Sequence, residues 1–205
     1  MVLPISLIAQ RGNWPRFKAR RSNKEFVKIE QRILARDQNT CKYCGFISDK
    51  YQVVVNINND YSPGQSKDAN LATACVFCAQ CLFLDGIGHD NAWGGSLVYL
   101  PEISQADLNH FCRVLFTSML RDAPYKGKLQ TVYLSLKDRE NTVNEIFGPK
   151  SSNPYIFGQA LIDCSLTADQ LKHPIMAQLR LLPDRRCFTQ EILYWKYTVF
   201  DQIPL

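Results

Sequence analysis

Two cysteine pairs of equal spacing constrain the fold of this chain more than any other feature. Cys41 and Cys44 enclose two residues, Cys75 and Cys78 enclose two more, and thirty residues separate the pairs. Four thiolates at this spacing can close one tetrahedral zinc site, because each Cys-x-x-Cys turn offers two sulfurs to the same ion. Four sulfurs leave no open coordination position, so the pattern predicts structural rather than catalytic zinc.

Disulfide bonds are the alternative use of these cysteines. The first nine residues lack a basic start, contain Pro4 and are short for an export signal, and no apolar run is long enough to span a bilayer. We therefore expect a soluble intracellular protein whose thiols stay reduced and favour metal.

Four further cysteines raise the question of which sulfurs bind the ion. Cys81 lies three residues beyond Cys78 and is the one most able to replace a ligand. The other three lie in apolar helical surroundings and are expected to be core thiols. These are Cys112, Cys164 and Cys187.

Basic residues are concentrated near the N-terminus. Residues 11–36 contain nine basic and two acidic side chains, a net charge of +7, so the rest of the chain carries −2 of the total of +5. This asymmetry favours an acidic partner or a nucleic-acid footprint, with a solvated helix face as the alternative.

The first half of the chain predicts a mixed structure around the cysteine pairs. Residues 3–9 favour an edge strand, and Ser22 or Asn23 caps a helix that ends near Asp37. Residues 51–57 have the β-branched composition of a strand.

The second cysteine pair is expected on a helix. A polar turn over residues 58–64 leads to a helix that opens near residues 68–70 and would carry Cys75 and Cys78. A knuckle, a strand and a helix around one metal form a ββα-metal arrangement.

The second half of the chain is predicted to be mostly helical. A strand over residues 96–100 precedes it, and the first helix begins after Ser104. The expected core face of that helix consists of Leu108, Phe111, Cys112, Leu115 and Met119. The later helices are expected over residues 128–147, after Asn153, after Thr167 and after Thr189.

The fold class that follows is α+β. A zinc module over residues 1–100 packs against a mostly helical part over residues 101–205, either as two units or as one continuous domain. No flexible linker separates the two parts.

Residues 26–84 resemble the HNH endonuclease family. The resemblance rests on residues 33–45, which look like its helix and first knuckle, and on residues 70–78, which look like its second. It implies a degenerate HNH-like module. In that family a histidine after the strand activates water, and an asparagine or histidine after the second knuckle holds the catalytic divalent ion.

This sequence departs from the HNH pattern where the chemistry would occur. Asn56 stands at the position of the histidine, and Ala79 follows Cys78. An amide accepts no proton near neutral pH and a methyl group coordinates no cation, so we expect no enzyme. The histidines, expected to be surface or structural, are His89, His110 and His173.

A second resemblance covers nearly the whole chain. Several segments, in the same order, resemble a subunit family of the Dot/Icm type IVB secretion system. They are residues 54–57, 74–81, 97–102, 105–109 and 156–163. The resemblance implies a cytoplasmic subunit at the bacterial inner membrane that binds the C-terminal extension of the coupling ATPase DotL, alongside DotM and the adaptors IcmS and IcmW.

Three functions follow from these observations. The first is a zinc-stabilised scaffold that supports effector recruitment and export. The second is a metal-dependent HNH-type nuclease with an unrecognised base. The third is a non-catalytic nucleic-acid binder that uses residues 11–36, whose affinity would fall steeply with salt.

Overall fold

The described residues form helices and two separate pairs of short antiparallel strands, so the predicted α+β class is confirmed. The computed structural model describes residues 2–88, 93–121 and 124–200. The strands are β1 (Gln52–Asn56), β2 (Leu71–Cys75), β3 (Gly95–Tyr99) and β4 (Leu179–Pro183). The helices are α1 (Asn13–Arg21), α2 (Lys24–Arg36), α3 (Val76–Ala79), α4 (Gln105–Ser118), α5 (Lys126–Lys137), α6 (Glu140–Phe147), α7 (Pro154–Ile162), α8 (Ala168–Lys172) and α9 (Thr189–Thr198).

Four of the predicted helix starts are confirmed by their capping hydrogen bonds. The side-chain oxygens of Asn23, Ser104, Asn153 and Thr167 accept bonds from backbone N–H groups in the first turns of α2, α4, α7 and α8. Such a bond satisfies a donor that the helix itself leaves unpaired. The last helix differs slightly, because Thr189 is its first residue rather than its cap.

Strands β1 and β2 form an antiparallel hairpin in which Gln52 faces Cys75 and Asn56 faces Leu71. The helix expected to open near residues 68–70 is therefore wrong. Those residues form one 3-10 turn, and the next five are a strand. Both strands are buried along their whole length, so β2 has no alternating pattern that would separate it from a buried helix.

Strands β3 and β4 form a second antiparallel pair, in which Gly95 faces Pro183 and Tyr99 faces Leu179. β3 was predicted, whereas β4 lies in the part that was expected to be helical. Four of the five β4 residues are buried, so β4 also lacks a polar face. This pair joins residues before position 100 to residues near the end of the chain.

Three other expectations are corrected. Residues 3–9 form no strand, although Leu3 N–H and Ile8 N–H each bind a distant backbone carbonyl. The single helix over residues 128–147 is divided into α5 and α6 by a turn at 138–139. Phe111 is 41% exposed and lies outside the core face of α4. Helix α1 was not predicted.

One apolar core connects the cysteine region to the last helix. The ring of Phe46, just after the first cysteine pair, lies 5.3 Å from that of Trp195 in α9. Phe77, between the second pair, lies 4.8 Å from Phe188 and 5.3 Å from Trp195. Helix α9 therefore packs against the phenylalanines that flank both cysteine pairs.

The described ranges hold no candidate for a membrane-spanning helix. None of their helices combines the length and the hydropathy that a passage through a bilayer requires.

Candidate metal centre

The structure brings the four predicted cysteines together at one point. The sulfur atoms of Cys41, Cys44, Cys75 and Cys78 all lie within 4.8 Å of one another, and three of the residues are buried. A cluster of this kind could hold a metal ion. Strands β1 and β2 lie between the two pairs in the sequence, and their antiparallel pairing brings the second pair back beside the first.

The first pair lies on a tight turn that follows α2. Cys41 N–H donates to Phe46 O over 2.9 Å, and Gly45 N–H donates to Cys41 O over 2.8 Å. Gly45 has φ of +77°, which glycine adopts at little cost. Lys42 N–H donates to Thr73 O over 2.8 Å and so fixes the turn against β2.

The second pair spans the junction of a strand and a helix. Cys75 is the last residue of β2 and occupies the N-cap position of α3, while Cys78 lies in the first turn of α3. This change of direction points both sulfurs towards the first turn.

One measured separation fits zinc better than a disulfide. Cys44 Sγ and Cys75 Sγ are 3.8 Å apart. A tetrahedral ion with zinc–sulfur bonds of about 2.3 Å requires sulfurs roughly 3.8 Å apart, whereas a disulfide requires about 2.05 Å. All eight cysteines are free. The geometry and the soft thiolate donors therefore fit a zinc ion, while its identity and the ligand roles stay predictions.

Helix α4 adds polar groups to the cluster that the sequence did not reveal. Arg113 is fully buried, and its Nη2 donates to Cys75 Sγ over 2.8 Å and to Cys44 Sγ over 3.6 Å. Asn109, also fully buried, donates through Nδ2 to Cys78 Sγ over 3.3 Å. Three of the four sulfurs thus receive hydrogen bonds from one helix.

Aromatic rings enclose the Arg113 guanidinium. Its carbon lies 4.0 Å from the ring centroid of Phe46, 5.4 Å from that of Phe77 and 5.6 Å from that of Trp195. Burial alone would lower the pKa of Arg113, but the negative sulfurs beside it, chiefly that of Cys75, raise it above the usual value. The guanidinium is a fixed positive charge directed at the sulfur cluster.

The sulfur that Arg113 contacts is biased towards its charged form. Burial opposes ionisation of Cys75, yet hydrogen bonds from Cys41 and Cys78 and the charge of Arg113 hold its pKa below the usual value. Four thiolates and one divalent zinc ion would carry a net charge of about −2. The positive charge of a buried arginine offsets part of this negative charge in a region that water does not reach.

Two more α4 residues anchor the helix around the cluster. Gln105 Nε2 donates to Asn109 Oδ1 over 3.0 Å and to Leu181 O over 2.9 Å, and Gln105 Oε1 accepts from Leu181 N–H. Arg113 Nη1 donates to His110 Nδ1 over 3.2 Å, so His110 Nε2 carries the proton that it shares with Cys44 O over 2.7 Å. His110 is therefore a structural residue.

Among the residues that the structure describes, the other four cysteines and His173 are not members of the four-sulfur cluster. Cys81 Sγ donates to Phe77 O over 3.4 Å, and Cys112 is fully buried among apolar side chains. Cys164 is exposed, so its prediction as a core thiol is wrong. His173 accepts from Ile175 N–H in a turn. His89 lies outside the described residues.

Asn56, which the HNH resemblance places at the position of the histidine, is hydrogen-bonded through both polar atoms of its side chain. It is fully buried; its Oδ1 accepts from Arg20 Nη1 over 2.6 Å, and its Nδ2 donates to Asp60 O and Gln65 O. Its N–H donates to Tyr61 Oη over 3.1 Å. The side chain has no free group that could take a proton from water.

A positive charge lies beside Asn56. Arg20 also donates to Val54 O, and its guanidinium lies 4.2 Å from the ring centroid of Phe26 and 4.5 Å from that of Tyr61. Burial lowers the pKa of Arg20 to about 10, so it remains charged at neutral pH. A divalent ion beside Asn56 would be repelled by it.

Several basic residues of the 11–36 region form ion pairs or hydrogen bonds with other residues of the chain. Arg11 pairs with Asp163 at 2.6 Å, and Arg32 pairs with Asp68 at 2.6 Å. Arg36 binds the carboxylate of Asp37 and two backbone carbonyls. Part of the positive charge is thus used to hold α1 and α2 in place.

The sequence as a whole has a curated relative. No protein-family model matches it. It is 40% identical over 199 residues to the type 4 apparatus protein DotN of Legionella pneumophila subsp. pneumophila (strain Philadelphia 1). The aligned region covers 97% of this chain and 92% of the relative. The chain belongs to the DotN family. The resemblance to this Dot/Icm subunit family, also called IcmJ, is therefore confirmed.

The centre of this DotN-family chain combines predicted and unpredicted residues. The cysteines were found by their spacing, whereas Gln105, Asn109 and Arg113 were not singled out. A signal for them exists, because they recur every four residues on the helix that also presents Leu108 and Cys112 to the core. Polar residues at core positions of an amphipathic helix indicate a buried polar partner.

Proposed function

We propose that this protein is a non-catalytic, zinc-stabilised scaffold of a type IVB secretion coupling complex. It binds the C-terminal extension of the DotL-like coupling ATPase and supports effector recruitment and export. The observation that carries the proposal is the 40% identity to DotN over 97% of the chain. A relation of this extent spans nearly the whole chain, so it supports a shared role in the secretion apparatus.

The cysteine cluster has a structural role in this proposal. A zinc ion held by Cys41, Cys44, Cys75 and Cys78 has no open position for water, so it stabilises the fold and performs no reaction. In this proposal, hairpin β1–β2 and α3 form the centre of a degenerate HNH-like module over residues 1–100. The part over residues 101–205 packs on it as one continuous domain, for which the β3–β4 pair and the Arg113 contacts are the support.

The proposal that the protein is not an enzyme rests on the Asn56 network. A hydrolytic HNH site needs a base and a divalent ion at the end of the first strand. Here that position holds a buried amide with its hydrogen bonds made and a charged guanidinium 2.6 Å away. Neither group supplies the missing chemistry.

The proposed partners and location follow the family. Besides the ATPase extension, the complex contains DotM, IcmS and IcmW, and the protein lies in the bacterial cytoplasm at the inner membrane through these contacts. A rigid metal-stapled surface reduces the ordering cost of binding a partner segment.

The test is a pulldown of zinc-loaded protein with the ATPase C-terminal extension in magnesium-free buffer. We expect stoichiometric capture, and failure with folded, zinc-loaded protein would contradict the proposal. The same preparation is incubated with plasmid DNA and magnesium or manganese. Cleavage lost in Asn56→Ala would favour the nuclease, and salt-sensitive DNA binding without cleavage would favour the nucleic-acid binder.

A further inference from the structure

Helix α5 presents a stripe of apolar and basic side chains to solvent. None of its twelve residues is buried. Lys126, Gln130, Tyr133, Leu134 and Lys137 are spaced four, three, one and three residues apart, so they lie on one side of the helix. Leu134 is 50% exposed. This side of α5 is therefore open to solvent at Leu134.

The loop after β4 forms the opposite wall of a groove along this stripe. Asp184, Arg185 and Arg186 line it together with α5, and the groove has a volume of about 350 Å³. Tyr133 Oη donates to Pro183 O over 3.1 Å and holds the two walls at a fixed distance. The groove is thus a preformed feature of the surface.

A second groove continues from the first on the other side of the same arginines. Arg185 and Arg186 line it with Leu120, Thr189, Ile192 and Leu193, and its volume is about 320 Å³. Leu120 is 37% exposed and Leu193 is 48% exposed. We call the two together the α5–α9 groove.

The charges along the α5–α9 groove are mostly positive. Lys126, Lys137, Arg185 and Arg186 line it, with Asp184 as the acidic side chain. Asp184 pairs with Arg186 at 2.6 Å, and Lys137 pairs with Glu140 at 2.8 Å. Among the residues that the structure describes, Lys126 and Arg185 take part in no ion pair, which leaves two uncompensated positive charges beside exposed leucines.

We propose that the α5–α9 groove docks an acidic, amphipathic segment of a partner protein. Apolar side chains at helical spacing on the segment would cover Leu134 and Leu193, while its carboxylates would meet Arg185 and Lys126. Nucleic acid would use the charges but would leave the leucines exposed to water. The inference rests on the proposed function, because it assigns a surface and a chemistry to the partner of the scaffold.

The first experiment measures binding of the labelled ATPase C-terminal extension by fluorescence anisotropy. We expect Leu134→Asp, Leu193→Asp and Arg185→Glu each to weaken binding at least about tenfold, since each places a negative charge in the groove. Matched controls are Leu171→Asp and Lys172→Glu on α8, which lie at exposed positions away from the groove. They should change binding by no more than about twofold.

The outcomes separate the groove from the proposed function. If the extension binds and the groove variants bind as tightly as the controls, the groove is overturned and the scaffold role stands. If the extension does not bind the unmodified protein, the scaffold role fails. In that case a helical Glu/Leu peptide must still bind the unmodified protein and lose binding in the three variants, and its failure overturns the groove.

Other occupants are tested with the same variants. A Lys/Leu peptide of equal length should not bind. Tighter capture of phosphatidylglycerol vesicles or duplex DNA than of the Glu/Leu peptide, lost in Leu134→Asp, would overturn the proposal. So would a dimer in sedimentation velocity that Leu134→Asp dissociates, because the occupant would then be a second copy of the chain.

Discussion

Arg113 Nη2 donates a hydrogen bond to Cys75 Sγ over 2.8 Å, and this contact joins α4 to the cluster of four sulfurs. The guanidinium has no route to solvent, since the side chain is fully buried between three aromatic rings. Arginine and sulfur therefore depend on each other: each is a buried charge that the other compensates. The candidate metal centre therefore includes part of the C-terminal half.

We expect Arg113→Met to lower the free energy of unfolding by about 3–5 kcal/mol, because it leaves the sulfur charge without its partner. Arg113→Lys should recover only part of the loss, since an ammonium cannot reproduce the planar contact with Phe46. Urea unfolding gives the energies, and zinc transfer to a chromogenic chelator should be faster in both variants.

The control for Arg113 is Arg16→Met, the same change at an exposed position of α1. It should change stability by less than about 0.5 kcal/mol. Equal zinc transfer rates in Arg113→Met and unmodified protein would show that the guanidinium does not contribute to the centre.

Loss of a cysteine from the cluster should be more severe. Structural zinc contributes on the order of 10 kcal/mol to the folding of small zinc fingers, comparable to the stability of a whole domain. We expect Cys75→Ser to abolish stoichiometric zinc by elemental analysis and the cooperative unfolding transition. Cys164→Ser, at an exposed cysteine outside the cluster, should retain both. Metal-free but fully folded unmodified protein would contradict the site.

Local signals in the sequence predicted much of this fold. Caps such as Asn23 and Ser104 act within three residues, so their effect is visible without tertiary structure. The cysteine pairs were equally recognisable in the sequence, because two Cys-x-x-Cys pairs are the spacing typical of a metal site. Strand β2 was not, since a strand buried on both faces lacks the alternation that identifies strands.

The contacts that complete the metal centre depend on residues far apart in the sequence. Arg113 and Cys75 are 38 positions apart, and no local sequence pattern predicts their contact. The same holds for Arg20 and Asn56, which are 36 positions apart. The HNH resemblance predicts a histidine where Asn56 stands, but only the fold shows that a guanidinium lies beside Asn56.

Placing a histidine at position 56 should not create a nuclease. We expect Asn56→His to show no DNA cleavage with magnesium or manganese, because Arg20 remains beside the new imidazole. The variant should also lose about 1–3 kcal/mol of stability, since buried partners of the amide become unsatisfied. Lys67→His, at an exposed position between the two strands of the same hairpin, is the control and should be nearly neutral. Cleavage by Asn56→His would overturn this account.

Two helical glycines should respond oppositely to alanine. A Cβ on Gly158 in α7 would lie 2.7 Å from Asp85 N and 2.9 Å from Leu84 C, whereas a Cβ on Gly127 in α5 would meet no atom within 4 Å. We expect Gly158→Ala to cost about 1–3 kcal/mol through overpacking. Gly127→Ala should instead stabilise by up to about 1 kcal/mol. Urea unfolding of both variants tests how closely α7 packs on the chain after the second cysteine pair.

Asp85 should make stability depend on pH. Burial raises the pKa of this carboxyl above its usual value, and its Oδ1 is buried with no hydrogen-bond partner among the described residues. A raised folded-state pKa means that the folded chain binds the proton more tightly than the unfolded chain. The stability that this proton contributes is present below about pH 4 and is lost as the pH rises through the folded-state pKa.

Asp85→Asn removes this titration while keeping the size of the side chain. We therefore expect its midpoint of thermal unfolding to exceed that of the unmodified protein at pH 7, and the difference to shrink at pH 5. Both conditions use zinc-saturated protein, so that metal loss does not enter the comparison. Asp169→Asn, the same change at an exposed position of α8, is the matched control. A difference that grows towards pH 5 would mean that folding lowers the pKa of Asp85, contrary to the effect of burial.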